Sequence, residues 1–139
     1  MDKLYAQLHI WAATPHEWSY CDCFMVLGDW VQAVHEFDPA EELRGTYGDP
    51  DVCSIGRKYR ADPIPLGERL LSDFPQVAEA AVGDVAFVQA PGSRFLCGAI
   101  RLKDSKNGRP QWAMKTESKG VQVSRFVQPA RVWSIGYGA

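Results

Sequence analysis

The sequence predicts an α+β domain, with N-terminal helices packed on a C-terminal antiparallel β-sheet that is written almost entirely after Gly83. Three observations carry this. Between Asp22 and Glu36 the apolar residues Cys23, Leu27, Trp30, Val31 and Val34 recur at helical spacing. From residue 84 onward the apolar runs are short, rich in β-branched and aromatic residues, and partly alternating. Between two of those runs, "SKNGRP" at 105–110 contains Asn-Gly, the strongest short signal for a hairpin turn.

The elements follow in order. Residues 3–11 suit a short helix that ends at the Ala-Thr-Pro break of 13–15. Asp22 opens the second helix, because its carboxylate can accept bonds from the free N–H groups of the first turn. "FDPAEELRG" at 37–45 carries the punctuation of a further short helix: Asp38 as cap, Pro39 at the first position, Glu41 and Glu42 at the positive end, Gly45 as stop. "GDPDVCSIGRKYR" at 48–60 repeats the Asp-Pro opening, and "PIPLGERLLSDFPQVAEAA" at 63–81 reads as helix broken near Pro75. Strands are expected in "DVAFVQA" at 84–90, "RFLCGAIRL" at 94–102, "QWAMKT" at 111–116, "GVQVSRF" at 120–126 and "RVWSIG" at 131–136. Without a repeat, a linker or a low-complexity stretch, residues 1–139 read as one domain.

Composition narrows the function classes. The chain has 139 residues, is 46% hydrophobic and 23% charged, and so has the makings of an ordinary core. With a net charge of −2 and scattered basic residues it lacks the electrostatic footprint of a nucleic-acid binder. The densest basic cluster, "GRKYR" at 56–60, reads as a solvated helix face. No apolar stretch approaches the roughly 18 residues a membrane span needs, and the N-terminus lacks a signal peptide's apolar run, so synthesis and folding in the cytoplasm are expected.

The four cysteines, Cys21, Cys23, Cys53 and Cys97, are expected to be reduced thiols. Their spacing matches no standard zinc pairing, and neither a metal nor another cofactor is expected. A zinc or iron–sulfur module built on them is a separate reading, which metal in the purified protein would reveal.

Asp22-Cys23 at a helix start, followed by the Gly-Asp-led strand "GDVAFV" at 83–88, resembles the NlpC-type papain-like cysteine peptidases. A closer resemblance, over nearly the whole chain, is to an uncharacterised NlpC-like family encoded among phage tail genes. It is carried by Trp18 four residues before Asp22, by "DPAEELRGTY" at 38–47, by "GDVAFV", and by the closing "GVQV…ARVWSIG". The resemblance implies a papain-like fold and Cys23 in the nucleophile's place. It also implies a position in the tail tip or baseplate, with other tail proteins and peptidoglycan as partners. Such a protein would reside in the host cytoplasm during assembly and then in the virion tail.

A working peptidase needs a base to make the thiolate and donors for the oxyanion. In the NlpC pattern a histidine directly precedes a Val-Gly-Ile-type strand start. The matching stretch here is "FLCGAI", so Leu96 stands in the histidine's place and Cys97 follows it. His9, His16 and His35 all precede the sheet, and His35 lies roughly 18 Å beyond Cys23 along the helix axis. His16 is the remaining candidate base, since it precedes the helix and could fold back; the other reading is that it fixes the helix entry. His9 reads as a surface residue. Without a base, a thiol near its reference value is only a few per cent ionised at neutral pH, roughly. The leading expectation is therefore a structural tail-tip component with a degenerate site, with Tyr47, Trp112, Trp133 and Tyr137 as candidate contact residues, though each taken singly reads rather as core. The alternative is an active cell-wall peptidoglycan hydrolase, a cysteine endopeptidase or amidase acting during genome delivery.

Overall fold

A computed structural model describes residues 2–90, 92–118 and 120–138. Its described helices are α1 (Lys3–Ala13), α2 (Met25–His35), α3 (Ser54–Ala61) and α4 (Ile64–Leu70). The strands are β1 (Gln76–Val77), β2 (Val85–Gln89), β3 (Leu96–Arg101), β4 (Trp112–Lys115), β5 (Val121–Ser124) and β6 (Gln128–Trp133). They form one antiparallel sheet in the order β1-β6-β2-β3-β4-β5. The protein is α+β, as its sequence predicts.

Alternation along the strands divides the core in two. Val85, Phe87, Ile100 and Trp133 point to the helices and meet Leu4, Leu8, Trp11, Leu27, Trp30 and Val31. Ala86, Val88, Ala99, Trp112, Met114 and Val132 build a smaller cluster on the opposite face. The predicted stripe of α2 is buried at Leu27, Trp30 and Val31, and half-buried at Val34. The Trp30 indole N–H donates to the Gly83 carbonyl at 2.8 Å, and the Phe24 ring meets Phe87 edge-on at 5.9 Å. The α2 helix therefore lies on β2 and β3, where Cys23 is brought to the sheet.

The α1 helix is held at both ends. Asp2 accepts from the Leu4 N–H at 2.8 Å. At the other end Lys115, only 4% exposed, donates to the carbonyls of Trp11 at 2.6 Å and of Thr14. The Trp11 carbonyl also accepts the Thr14 N–H at 3.2 Å, and the ammonium adds a charged donor that suits the negative helix end.

The Asn-Gly hairpin forms between β3 and β4. Gly108 takes a positive φ of 75°, Ser105 donates to Arg109 O at 2.8 Å, and Ile100 pairs with Ala113.

Two expected helical stretches differ. Residues 38–45 form successive turns rather than a helix; Asp38 caps the Ala40 N–H at 2.9 Å, but a single bond, Arg44 N–H to Ala40 O at 3.0 Å, has α-helical reach. The chain turns because the Arg44 side chain folds back onto Asp38 and onto Asp29 of α2. The segment 63–81 is helical only to Leu70. After Pro75, whose carbonyl accepts the Ser134 N–H at 2.9 Å, β1 pairs with Val132 and Trp133 instead.

The aromatic contact candidates take the core reading that each of them also carried. Tyr47, Trp112 and Trp133 are buried, and Tyr137 is half-buried with its ring 4.9 Å from that of Trp30. Strand position draws Trp112 and Trp133 into the two clusters, while Tyr47 and Tyr137 join the helix-side one from loops. The large apolar residues that do face solvent include Val52, Ile55, Val123 and Phe126. Among the described residues no helix is long and apolar enough to cross a membrane.

Candidate thiol centre at the start of α2

The segment before α2 is a tight loop. Glu17 and Cys21 exchange backbone bonds at 3.1 and 2.7 Å, and Ser19, at the tip, takes a positive φ of 71°. That uncommon conformation turns the Ser19 N–H inward to the Asp22 carboxylate at 2.7 Å. Asp22 is fully buried and its oxygens are saturated. One accepts the Phe24 and Met25 N–H groups at 2.9 and 2.8 Å; the other accepts Ser19 N–H and a short bond from the Tyr47 hydroxyl. The expected bonds to the free N–H groups are made, but α2 begins only at Met25 with Phe24 as its N-cap residue, so Asp22 acts from the turn that precedes the helix.

Tyr47 explains why "DPAEELRGTY" is an unusual segment. Arg44 fixes it by donating to Asp38 at 2.8 Å, to Asp29 at 2.7 Å and to the Tyr20 carbonyl at 3.2 Å, while Trp11 donates to Asp29 at 3.1 Å. Burial raises the Asp29 carboxyl against the pull of Arg44. Burial alone would also raise Asp38, but the Arg44 and Ala40 hydrogen bonds and the Arg44 charge hold it below the usual range. The phenol of Tyr47 is pushed far up by burial and by the Asp22 charge that it faces. Each of these groups serves to hold the start of α2 in place.

Cys23 follows the cap and is half-buried against β3. The approach is so close that a Cβ on Gly98 would lie 1.9 Å from the Cys23 carbonyl oxygen; only glycine fits there. The Cys23 thiol is raised well above its ordinary value. The influence of the Cys97 thiol is the largest cause, followed by burial and the charge of Asp22; the Gly98 N–H opposes them. A helix start ordinarily lowers a thiol's pKa. Here the capping carboxylate occupies the N–H groups that would do so.

Leu96 is half-buried at the start of β3, in the helix-side core. The next residue, Cys97, packs against the cluster on the opposite face, and its thiol donates to the Gly98 carbonyl at 3.4 Å. His16 rests edge-on against Trp18, with ring centroids 4.6 Å apart, and is not among the groups that act on the Cys23 thiol. His9 is exposed on α1. His35, in the last turn of α2, bonds through Nε2 to the Ile135 carbonyl at 2.6 Å. All four cysteines are free, and among the described residues no three metal-ligating side chains converge.

The thiol that the fold does favour ionising is Cys53. It is the N-cap residue of α3, and the N–H groups of Gly56, Gly48 and Ile55 hold its pKa below the ordinary value. Its sequence signal is a cysteine just after Asp-Pro-Asp and just before "SIGRKYR", where a cap belongs. Cys21 is buried, and burial raises it. In timed alkylation with iodoacetamide at neutral pH, followed by peptide mass mapping, Cys53 is expected to label first. Cys23 should label more slowly, because burial and its neighbours hold its thiol protonated while the Cys53 thiol is lowered. The reverse order would mean that Cys23 is ionised.

No curated protein and no solved structure matches the chain. A family model described as "Domain of unknown function (DUF6950)" matches residues 1–135, nearly the full length, and the chain belongs to this family.

Proposed function

We propose that the protein is a structural component of a phage tail tip or baseplate, built on an NlpC-like, papain-like fold whose thiol centre is catalytically silent. It would be made in the host cytoplasm and carried in the virion tail, touching other tail proteins and, at the cell surface, peptidoglycan. The motif resemblance around Asp22-Cys23, "DPAEELRGTY" and "GDVAFV" supports the lineage.

One observation carries the loss of activity. The strand that Cys23 packs against, β3, presents Leu96 and Gly98 on the helix side, and neither supplies the imidazole that such catalysis uses. Leu96 can neither take a proton from the thiol nor return one to a leaving amine. Asp22 cannot substitute as the base, because both its oxygens are already engaged by four donors in the interior.

Zymography on host cell walls tests the reading, with wild type beside Cys23→Ser. No clearing is expected in either lane. Phage carrying Cys23→Ser should assemble and infect nearly as wild type does, since serine is close in size. Charged substitutions at the exposed Val52 and Ile55 should instead hinder tail completion, because packed interfaces depend on a few apolar anchors. A clearing zone made by wild type and lost in Cys23→Ser would replace this reading with the peptidoglycan hydrolase.

A further inference from the structure

The sheet face turned away from the helices carries a cavity of about 500 Å³, within the usual size range of small-molecule sites. Trp112, Val127 and Val132 give it an apolar floor. Its walls come from the Asn-Gly hairpin, from the turn after β5, and from residues 78–80. Three guanidinium groups line it, and they are not equivalent.

Arg101 is already neutralised, donating to Asp104 at 2.6 Å and to the Leu102 carbonyl. Arg109 and Arg125 have no carboxylate partner among the described residues. The Arg125 guanidinium stacks over the Phe126 ring at 5.0 Å, which keeps it extended at the rim. Glu79 is the one carboxylate among the lining residues, and it too lacks an ion-pair partner among the described residues.

We infer that this cavity binds a small organic anion, a carboxylate or phosphate monoester on an apolar body, with Arg109 and Arg125 as its recognition residues. A guanidinium presents a planar fork of donors that matches both oxyanions, and the apolar floor suits the rest of such a ligand. Two free arginines opposed by one glutamate leave a small positive excess. That favours a ligand of one or two charges, whereas a nucleic-acid strand would need a longer basic track. The site is on the other face of the sheet from Cys23 and does not depend on the reading of the thiol centre.

The test is an NMR titration of the whole chain with phenyl phosphate, with N-acetylphenylalanine, and with the neutral N-acetylphenylalaninamide. At least one anion should give saturable shifts at the Trp112 indole and the Val127 and Val132 amides, and the amide should give none. The tighter anion identifies the ligand as a phosphoryl or a carboxyl compound. Arg109→Gln and Arg125→Gln should each weaken binding about tenfold, as loss of a charge-assisted hydrogen-bond pair implies. Glu79→Gln should strengthen it by removing the opposing charge. These three side chains are on exposed residues, so the variants should fold normally. The inference is overturned if neither anion saturates by about 10 mM, a weakness beyond any specific site of this kind. It is equally overturned if the neutral amide binds as well, or if the arginine variants leave affinity unchanged.

Discussion

Trp30→Ala is expected to cost roughly 3–5 kcal/mol of folding stability, the range for deleting a large aromatic from a core. Trp30 has no exposed surface, and it joins three parts of the molecule. It sits on α2, its indole N–H satisfies the Gly83 carbonyl at the entry to β2, and its ring packs on Tyr137 near the C-terminus. Alanine would leave a cavity and an unpaired carbonyl together. Trp30→Phe separates the two: the ring still fills most of the space, so the loss should fall to about 1–2 kcal/mol. Urea unfolding of the three proteins measures this. A loss below about 1 kcal/mol for Trp30→Ala would contradict the burial of this helix face, since only surface positions are that tolerant.

Asp22→Ala should be of similar size, about 3–5 kcal/mol, by a different route. A helix cap alone is worth about 1 kcal/mol. Here the carboxylate also holds the Ser19 N–H and the Tyr47 hydroxyl, and both would be left buried without a partner. Asp22→Asn should lie between, because one amide oxygen can still cap Phe24 and Met25 while the NH₂ group faces the Ser19 N–H. In a double-mutant cycle with Tyr47→Phe, the two losses should be strongly non-additive. Asp22→Asn also removes a negative charge beside the thiol, so Cys23 should alkylate somewhat faster in this variant. Additive losses would mean that Tyr47 and Asp22 do not act as one unit.

Features that rest on local chemistry were legible in the sequence. The α2 stripe, the Asp22 bonds to free N–H groups, the Asn-Gly hairpin and the strand segments after Gly83 depend on neighbours a few residues apart, and they appear where expected. The Asp38 segment shows the limit of that grammar. Asp-Pro-x-Glu marks a helix start, but Arg44 is claimed by Asp29 of another element, and the turns result. Likewise β1 exists because β6 reaches it, which nothing within Gln76–Val77 announces.

At the candidate site, the expectation that Leu96 stands where a base would be comes from the family resemblance. The close approach of Cys23 to Gly98 could not be read from the sequence, since it requires the register of α2 against β3 across more than seventy residues. The same is true of Tyr47 beneath Asp22. The burial of Trp112 and Trp133 followed from the sheet having a packed cluster on each face, where sequence alternation alone allowed one face to be open.

The position of β6 has a consequence for the time course of synthesis. The last strand of the chain lies between β1 and β2, bonded to both. Residues 76–77 and 85–89 emerge from the ribosome early, yet each has its partner edge vacant until residues 128–133 follow. The sheet therefore cannot zip up behind the ribosome from one end to the other. Strands β2 to β5 neighbour one another in chain order, so it is the β1 side of the sheet that closes last, with loop closure across some fifty residues, the kind of non-local pairing that slows folding. Until then the nascent chain carries two open strand edges, which makes that interval the one in which it is most exposed to misassembly.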